Sequence, residues 1–487
     1  MGKLTLFYLG VFLLVSSGDM VGQEKKSSKV SPNIIIFIAD DLSATDLEPY
    51  GNSFVQTPNI SFLAKNGLKF NNAILTTSSC SPSRISIMTG RYPHNTGAAE
   101  LHTEPEVAFE SMASKLNQKG YYTGHAGKWH MGSLLKQGFD NIYENYEQNG
   151  DGGEDMWIPS LREREKNKPF FFWFASYDPH RIWGENQFSS VHNPKDIEVP
   201  LTLIDNDSTR IDLSKYYNEI KRFDFHIGKV IEELKRQQMF ENTIIIVMAD
   251  NGRPFPRDKT RLYHSGIRTP LIIHWPKFIK RSTSNSLISS IDIAPTILDV
   301  CGIVNPKSFQ GKSFLDIVKN PNRKFRNYAF AEHNWHDYEA HERMVRTTEY
   351  LYILNFRSQF PNQGPADAIN SPSFRSLVKA NYEGNLTPEQ ADVFLSSRPT
   401  EELYELKNDP FQINNIVNVE KHSKIHLKLK DVLLEWMDKT CDNVPNKLTT
   451  DWYSRNTGKR LKENFGIRRE MPGKRLNADQ CNEKGQF

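Results

Sequence analysis

Three uninterrupted apolar segments constrain the fold of this chain more than any other feature of its sequence. They are residues 33–39 (NIIIFIA), 168–175 (KPFFFWFA) and 242–249 (NTIIIVMA). Strands that are buried on both faces of a mostly parallel sheet read as such continuous runs, whereas half-exposed strands alternate. Amphipathic stretches at residues 109–118 and 216–238 lie between them. The alternation predicts an α/β fold, with a large mixed, mostly parallel sheet flanked by helices.

Polar residues that could bind a ligand or take part in catalysis follow these strands. The groups are Asp40-Asp41 after the first run, Asp178-Pro179-His180 after the second, Asp250-Asn251-Gly252 after the third, and Lys128 and His130 after a shorter segment at residues 121–125. Ligands of open α/β sheets bind outside the carboxyl ends of the strands. We therefore expect acidic, amide, cationic and imidazole groups from four strands to meet in one site.

A cysteine lies in the segment TTSSCSPSR, which is followed directly by ISIMTGR. In this segment Pro82 suits the first residue of a helix, and Gly90 suits its end. Cys80 would then lie at a helix N-terminus, where free N–H groups favour negative charge, and Arg84 would follow one turn later. An isolated cysteine in this position is equally well a core thiol. The frame C-x-P-x-R followed by T-G-R favours a functional site instead.

Together these motifs resemble the type I sulfatases of the alkaline phosphatase superfamily, over residues 33 to about 437. The most selective match is the set Cys80, Pro82, Arg84, Thr89, Gly90 and Arg91. In that family the cysteine is oxidised after translation to formylglycine (3-oxoalanine) by a formylglycine-forming, sulfatase-maturing enzyme, which is thus an expected partner. The resemblance implies an alkaline phosphatase-like fold and the activity of a sulfuric ester hydrolase.

The resemblance also implies a Ca²⁺ site. Its implied ligands are Asp40, Asp41, Asp250 and Asn251, with formylglycine at Cys80 completing the coordination. Carboxylate and amide oxygens are the hard ligands that Ca²⁺ prefers. A simple turn after a strand also explains the first acidic pair, but the second pair repeats the pattern and favours a metal.

The remaining catalytic residues implied by the resemblance are cations and imidazoles. Lys128 and His130 match the G-K-W-H element of the family, His180 the histidine after its third strand, and Lys259 the lysine after the D-N-G loop. Arg84 and the two lysines, with Ca²⁺, would neutralise the sulfate oxygens. His180 or Lys259 would protonate the leaving atom, and His130 would accept a proton from the hydrated formylglycine.

The substrate is less constrained than the reaction. The stretches DPHR, NGRPFP, NF and SPSF resemble N-sulfoglucosamine sulfohydrolase (sulfamidase) and its bacterial relatives. However, Lys259 stands where sulfamidase has an arginine, and YHSGIRTP follows the general sulfatase pattern. Bacterial relatives of this subgroup include enzymes that desulfate algal polysaccharides such as ulvan. We expect O-desulfation of such a polysaccharide or its oligosaccharides, with sulfamate hydrolysis as the alternative.

Two other classes of protein stay open at this point. A phosphatase or phosphonate hydrolase of the same superfamily shares the metal-binding pairs, although the C-x-P-x-R frame argues against it. A catalytically inactive glycan-binding descendant would have lost Cys80, Arg84 or the metal ligands, all of which this chain retains. The formal net charge of +3 gives no case for nucleic-acid binding.

The N-terminus predicts export. Lys3 precedes an apolar run at residues 4–15, which is too short to span a bilayer and has the layout of a secretory signal peptide. We expect a signal peptide at residues 1–22, a linker at 23–31, and a periplasmic or secreted protein. No later segment reaches transmembrane length, so we expect no membrane span after the signal is removed.

The sequence pattern changes after residue 325, where the predicted strands become shorter. We expect the catalytic domain at residues 32–325, a smaller α+β domain at 326–440 and a basic tail at 441–487. Short strands are expected near residues 327–332, 351–356 and 401–406, and a helix at 426–439. Cys441 and Cys481 are candidates for a disulfide that staples the tail, which an oxidising compartment permits.

Overall fold

The computed structural model describes residues 1–3, 31–184, 192–304, 307–361 and 363–487. The predicted signal peptide and linker lie outside the described residues, apart from residues 1–3 and 31. Residues Pro32–Phe487 form one compact unit, which contains all the elements considered below. None of the helices described is both long and apolar enough to cross a membrane.

The predicted large sheet is confirmed, and the three apolar runs lie side by side at its centre. Its strands are β1 (Asn33–Ala39), β2 (Leu68–Ile74), β3 (Tyr122–Gly127), β4 (Asn141–Tyr143), β5 (Phe170–Ala175), β6 (Thr243–Ala249), β7 (Leu271–His274) and β8 (Ser282–Ser289). Their spatial order is β4-β3-β5-β1-β6-β7-β2-β8. Strand β7 runs antiparallel to both neighbours, and the other neighbouring pairs are parallel.

Helices cover both faces of this sheet. The α-helices of the described residues are α1 (Pro58–Lys65), α2 (Cys80–Thr89), α3 (Met112–Gln118), α4 (Tyr146–Asn149), α5 (Trp157–Glu163), α6 (Asp207–Arg236), α7 (His264–Ile267), α8 (Ile293–Val300), α9 (Leu315–Lys319), α10 (Ala366–Ile369), α11 (Pro372–Tyr382), α12 (Pro388–Ala391) and α13 (Ser423–Lys439). The two helices predicted from amphipathic stretches are α3 and α6. Helix α6 starts earlier than predicted because the Asn206 side chain caps it by accepting from the Thr209 N–H.

The packing of strand β1 explains why its run contains no polar residue after Asn33. Ile34, Ile36 and Ile38 enter the core shared with α2, α3 and α8, whereas Ile35 and Phe37 enter the opposite core, shared with α1, α5 and α6. Each of these side chains is fully buried, which is worth roughly 1.5–3 kcal/mol per residue. Because both faces are buried, the sheet is rigid where its carboxyl edge carries the polar residues.

A second, antiparallel sheet follows in the chain. Its strands are β9 (Ala329–His336), β10 (Tyr338–Arg346), β11 (Tyr350–Asn355) and β12 (Glu401–Glu405), in the order β12-β11-β10-β9. The predicted short strands correspond to β9, β11 and β12, and α13 packs on this sheet through Leu429, Leu433 and Trp436. Strand β10 was not predicted, because YEAHERMVR is mostly polar. Its Arg343 is buried against Asp442 and therefore does not face solvent.

The basic tail packs against the rest of the unit. Trp452 is buried, and its ring lies edge-to-face on Trp335 with centroids 4.6 Å apart. Cys441 and Cys481 are free thiols in this structure. Burial and the neighbouring Cys481 raise the pKa of Cys441 to about 11. The sulfurs are thus close together, and the disulfide between them stays a prediction.

Candidate active site

Four neighbouring strands, β3, β5, β1 and β6, bring their carboxyl ends to one edge of the sheet. Backbone hydrogen bonds join the segments that follow them: Asp40 N–H donates to the Asp178 carbonyl at 2.8 Å, and Asp250 N–H to that of Ala39 at 3.2 Å. Lys128 N–H likewise donates to the Ala175 carbonyl at 2.9 Å. The predicted convergence of the four strand ends is therefore what the backbone shows.

Cys80 is the first residue of α2, two positions before the predicted start at Pro82. Gly90 ends the helix in the left-handed conformation with φ 62°, as the sequence predicted. The Cys80 sulfur is buried and lies 3.9 Å from Asp41 Oδ1. Burial outweighs the nearby positive charges and raises the pKa of this thiol well above its ordinary value. An unmodified thiol here is therefore a poor nucleophile at neutral pH.

Arg84 lies one helical turn from Cys80 and is fully buried. Its Nε donates to Asp250 Oδ2 at 2.7 Å, and its Nη1 donates to the Lys128 carbonyl at 3.1 Å. Its Nη2 lies 3.6 Å from Asp40 Oδ1. The guanidinium is thus held between the ends of β1, β3 and β6.

Two lysines complete the positive charge around Cys80. Lys128 Nζ contacts Asp40 Oδ2. Lys259 Nζ lies 2.7 Å from Asp41 Oδ2 and 3.5 Å from Asp367 Oδ2. Burial opposes the charged form of both lysines, but these carboxylates prevail and raise the pKa of each above its ordinary value. Both side chains are therefore cations at neutral pH.

His130 and His102 form a pair of imidazoles, in which His130 is half-buried and His102 is exposed. His102 Nδ1 and His130 Nε2 are 2.9 Å apart, within hydrogen-bonding distance. Burial and the positive charge of Lys128 hold the pKa of His130 well below its ordinary value. Burial and the Arg468 guanidinium lower the pKa of His102 to about 4. Both rings are therefore neutral near pH 7, so one donates the shared hydrogen and the other accepts it.

His180 lies on the more open side of the site. Its side chain is 33% exposed, and its Nε2 lies 3.8 Å from both Asp41 Oδ2 and Asp367 Oδ2. Asp367 was not predicted from the sequence, because it lies on α10 within a polar region without clear periodicity. His102 was missed for a related reason, since it occupies a loop that does not follow a strand.

The donor set fits a hard divalent cation. Asp40 Oδ1 and Asn251 Oδ1 are buried oxygens that receive no hydrogen bond. Asn251 Nδ2 donates to Asp41 Oδ1 at 2.6 Å, and Asp41 N–H donates to Asp250 Oδ1 at 3.2 Å, which holds these side chains together. Asp40, Asp41 and Cys80 also place their ligand atoms within 4.8 Å of one another. Buried acceptors without donors are costly unless another group satisfies them, and a cation would do so.

Comparisons with known proteins agree with this geometry. The family described as sulfatase matches residues 32–303, and the C-terminal domain of N-sulphoglucosamine sulphohydrolase matches residues 255–372. An ulvan-active sulfatase of Formosa agariphila is 30% identical, over 88% of this chain and 78% of its own length. Human N-sulphoglucosamine sulphohydrolase is 28% identical, over 84% of this chain and 90% of its own.

A solved structure shows the same fold. It is described as an enzyme in complex with its substrate D-glucosamine-2-N,6-O-disulfate, and it superposes with a TM-score of 0.66 at 22% identity. The match covers 84% of this chain and 98% of the other. With the sulfatase match over most of the large-sheet region and the 30% identical relative, the assignment is direct: this chain belongs to the sulfatase family and is a sulfuric ester hydrolase.

Proposed function

We propose that this enzyme removes O-sulfate groups from a sulfated polysaccharide or its oligosaccharides, and that its substrate is an algal polysaccharide of the ulvan type. The observation that carries the proposal is the trio Arg84, Lys128 and Lys259, each paired with a carboxylate and gathered around Cys80; Arg84 and Lys259 are buried, and Lys128 is half-buried. Such a site stabilises a group that carries several negative oxygens. The ulvan-active relatives at 30% identity support the choice of polysaccharide.

N-Sulfoglucosamine hydrolysis is the second candidate. The match to the C-terminal domain of N-sulphoglucosamine sulphohydrolase over residues 255–372 favours it, as does the human relative at 28% identity. The same cations would bind an N-sulfate as well as an O-sulfate, because both present three sulfonyl oxygens. The two candidates therefore differ in the sugar and in the leaving atom.

The nucleophile in this proposal is a formylglycine made from Cys80 by a maturing enzyme. Asp40, Asp41, Asp250 and Asn251 would hold a Ca²⁺ ion together with that residue. When bound, the ion supplies fixed positive charge that activates a nucleophile and polarises the sulfate ester. The protein itself excludes water from the position of the nucleophile, since Cys80 is only 2% exposed.

The chain's own side chains divide the remaining tasks. Arg84, Lys128 and Lys259 orient the sulfate and neutralise its oxygens while charge moves towards the leaving atom. His180 has a partly exposed side chain, and its Nε2 would deliver a proton to the leaving oxygen. His130 is neutral, so it would accept a proton during release of sulfate, with His102 orienting its ring. Each of these proposed roles follows from the position of the side chain in the site.

A substrate panel tests the proposal. The matured enzyme is incubated with sulfated ulvan oligosaccharides, with N-sulfated glucosamine oligosaccharides and with an aryl sulfate, and free sulfate is measured. We expect release from the ulvan oligosaccharides to exceed release from the N-sulfated sugars by roughly tenfold or more in kcat/KM, because the leaving group differs. Release from N-sulfated glucosamine alone would contradict the ulvan assignment and support the second candidate.

Removal of divalent metal is expected to lower both activity and stability. The acidic side chains at the site repel one another when the cation is withdrawn. A ligand at 100 times its Kd contributes about 2.7 kcal/mol to the free energy of unfolding, so Tm should fall on addition of a chelator. Added Ca²⁺ should restore Tm and sulfate release, whereas Mg²⁺ should do so poorly because it demands a smaller octahedral site. An unchanged Tm in a sample shown to be metal-free by elemental analysis would contradict the metal site.

A further inference from the structure

A large groove lies between the edge of the eight-stranded sheet and the four-stranded sheet. Its volume is about 1220 Å³, and its lining includes parts of β2, β8, β10 and α13. The candidate catalytic residues and metal ligands do not line it. Sites for single small molecules measure about 300–1,000 Å³, so this groove has room for several sugar units.

At the bottom of the groove Arg346 is buried without an opposite charge. Its side chain donates to neutral acceptors: His264 Nε2 at 2.6 Å, the Thr347 carbonyl at 3.0 Å and Asn72 Oδ1 at 3.3 Å. In the described part of the chain, no carboxylate lies within 4.0 Å of it. A buried charge is costly unless it is paired. The charge of this guanidinium is therefore not balanced by any carboxylate of the described residues.

Arg268 lies beside Arg346 and shares this property. Its Nε donates to the Asn71 carbonyl at 2.8 Å, next to the Asn72 side chain that Arg346 contacts. Among the described residues it too has no carboxylate within 4.0 Å. Burial, and after it the like charge of Arg268, lowers the pKa of Arg346 to about 9. Two like-charged guanidinium groups therefore line the same part of the groove, although they repel each other.

Another arginine of the same groove shows that this arrangement is unusual. The Arg326 side chain is fully buried, and its Nε and Nη2 donate to the two carboxylate oxygens of Asp292, at 2.6 Å and 2.5 Å. Its charge is satisfied within the chain. Among the described residues the pair formed by Arg268 and Arg346 has no such partner, so an anion from outside the chain would complement it.

The rest of the lining suits a glycan that carries anions. Exposed Lys324, Lys407 and Lys428 lie along the groove, and Glu349 is the carboxylate found in its described lining. Amide side chains and rings that line it are Asn71, Asn285, Asn322, Asn327, Phe325 and Tyr350. Amides exchange hydrogen bonds with sugar hydroxyls, and rings pack on apolar sugar faces.

We propose that this groove is a second glycan-binding site, in which Arg268 and Arg346 together hold a sulfate ester of a polysaccharide chain. In naming a sulfated glycan, the inference rests on the proposed function. The site would keep a polymer on the enzyme while another of its sulfates is removed at the Cys80 site. A guanidinium fork matches two oxygens of a sulfate group, as it does those of a phosphate or carboxylate.

Binding to the inactive Cys80→Ala protein tests this inference. Sulfated ulvan oligosaccharides, the same oligosaccharides after chemical desulfation, and inorganic sulfate are titrated by calorimetry, and hydrogen exchange locates the bound ligand. We expect Arg268→Gln and Arg346→Gln to weaken binding of the sulfated oligosaccharide roughly tenfold, the value of one charge-assisted contact. Protection should include residues 71–72 and 346–350. Arg236→Gln, which removes a surface charge outside the groove, is the matched control.

Three results would contradict the inference. Equal weakening by Arg236→Gln would mean a general effect of charge, and protection confined to the Cys80 site would mean that the groove is not used. Equally tight binding of inorganic sulfate would assign the arginine pair to the free anion. If Arg346→Gln does not fold, the half-buried Arg268 carries the test alone.

Turnover separates this inference from the proposed function. In the otherwise unaltered enzyme, Arg268→Gln should leave hydrolysis of a small aryl sulfate unchanged, because that substrate does not reach the groove. Absence of any sulfate release by the parent enzyme would contradict the proposed function. Normal release without protection of the groove would contradict only the second site.

Discussion

Replacement of Cys80 by alanine is expected to abolish sulfate release, with a fall in kcat/KM on the order of 10⁵-fold, as for removal of other enzymic nucleophiles. Alanine cannot be converted to formylglycine and carries no nucleophilic atom. The cations around the site would still bind the substrate, because Arg84, Lys128 and Lys259 are held by their own carboxylates. We therefore expect the loss mainly in kcat.

A second buried cysteine provides the control. Cys301 is also a free, buried thiol, and it accepts the Tyr121 hydroxyl hydrogen at 3.2 Å in the core away from the strand ends. Cys301→Ala should lower the free energy of unfolding by about 1 kcal/mol and leave turnover intact. Mass spectrometry of the peptide that contains Cys80 completes the test. An unmodified thiol in a fully active sample would contradict the formylglycine mechanism.

Most of the candidate site was predictable from the sequence, because short stretches of sequence are enough to show where a buried strand ends. A continuous apolar run shows where a buried strand lies, and the residues directly after it must lie at the carboxyl edge. This logic brought Asp40, Asp250, Lys128 and His180 together, and the structure places them in one site. The position of Cys80 followed from helix signals, with an error of two residues at the start of α2.

The parts that were missed depend on contacts between residues distant in sequence. Strand β10 is mostly polar, and distant partners such as Asp442, which pairs with Arg343, make its burial possible. Asp367 reaches Lys259 from a region that has no periodic pattern. The sequence predicts only a basic tail at residues 441–487, but in the structure Trp452 buries its ring against Trp335, and Arg468 lies over both rings. Composition does not encode which surface such a segment meets.

Replacement of Arg84 by glutamine is expected to lower both stability and activity. Arg84 is fully buried and neutralises Asp250, from which its Nε is 2.7 Å away, and it also approaches Asp40. Breaking a buried ion pair by removing one partner typically costs about 3–5 kcal/mol, because the other charge stays buried without compensation. Denaturant unfolding in the presence of Ca²⁺ should show a loss of this size. Sulfate release should fall on the order of 10²–10³-fold, the typical effect of losing one preorganised donor.

Stability and catalysis are separated by a second arginine with the same burial. Arg343 is fully buried and paired with Asp442, and it does not belong to the candidate site. Arg343→Gln should therefore lose a similar free energy of unfolding, yet retain turnover at temperatures where it is folded. Arg84→Lys should regain part of the stability, since it keeps the charge, but little of the activity, since a lysine cannot reproduce the fork between Asp250 and the Lys128 carbonyl. Equal activity in folded Arg84→Gln and Arg343→Gln would show that Arg84 only supports the fold, because a residue that orients the sulfate must affect turnover beyond its effect on stability.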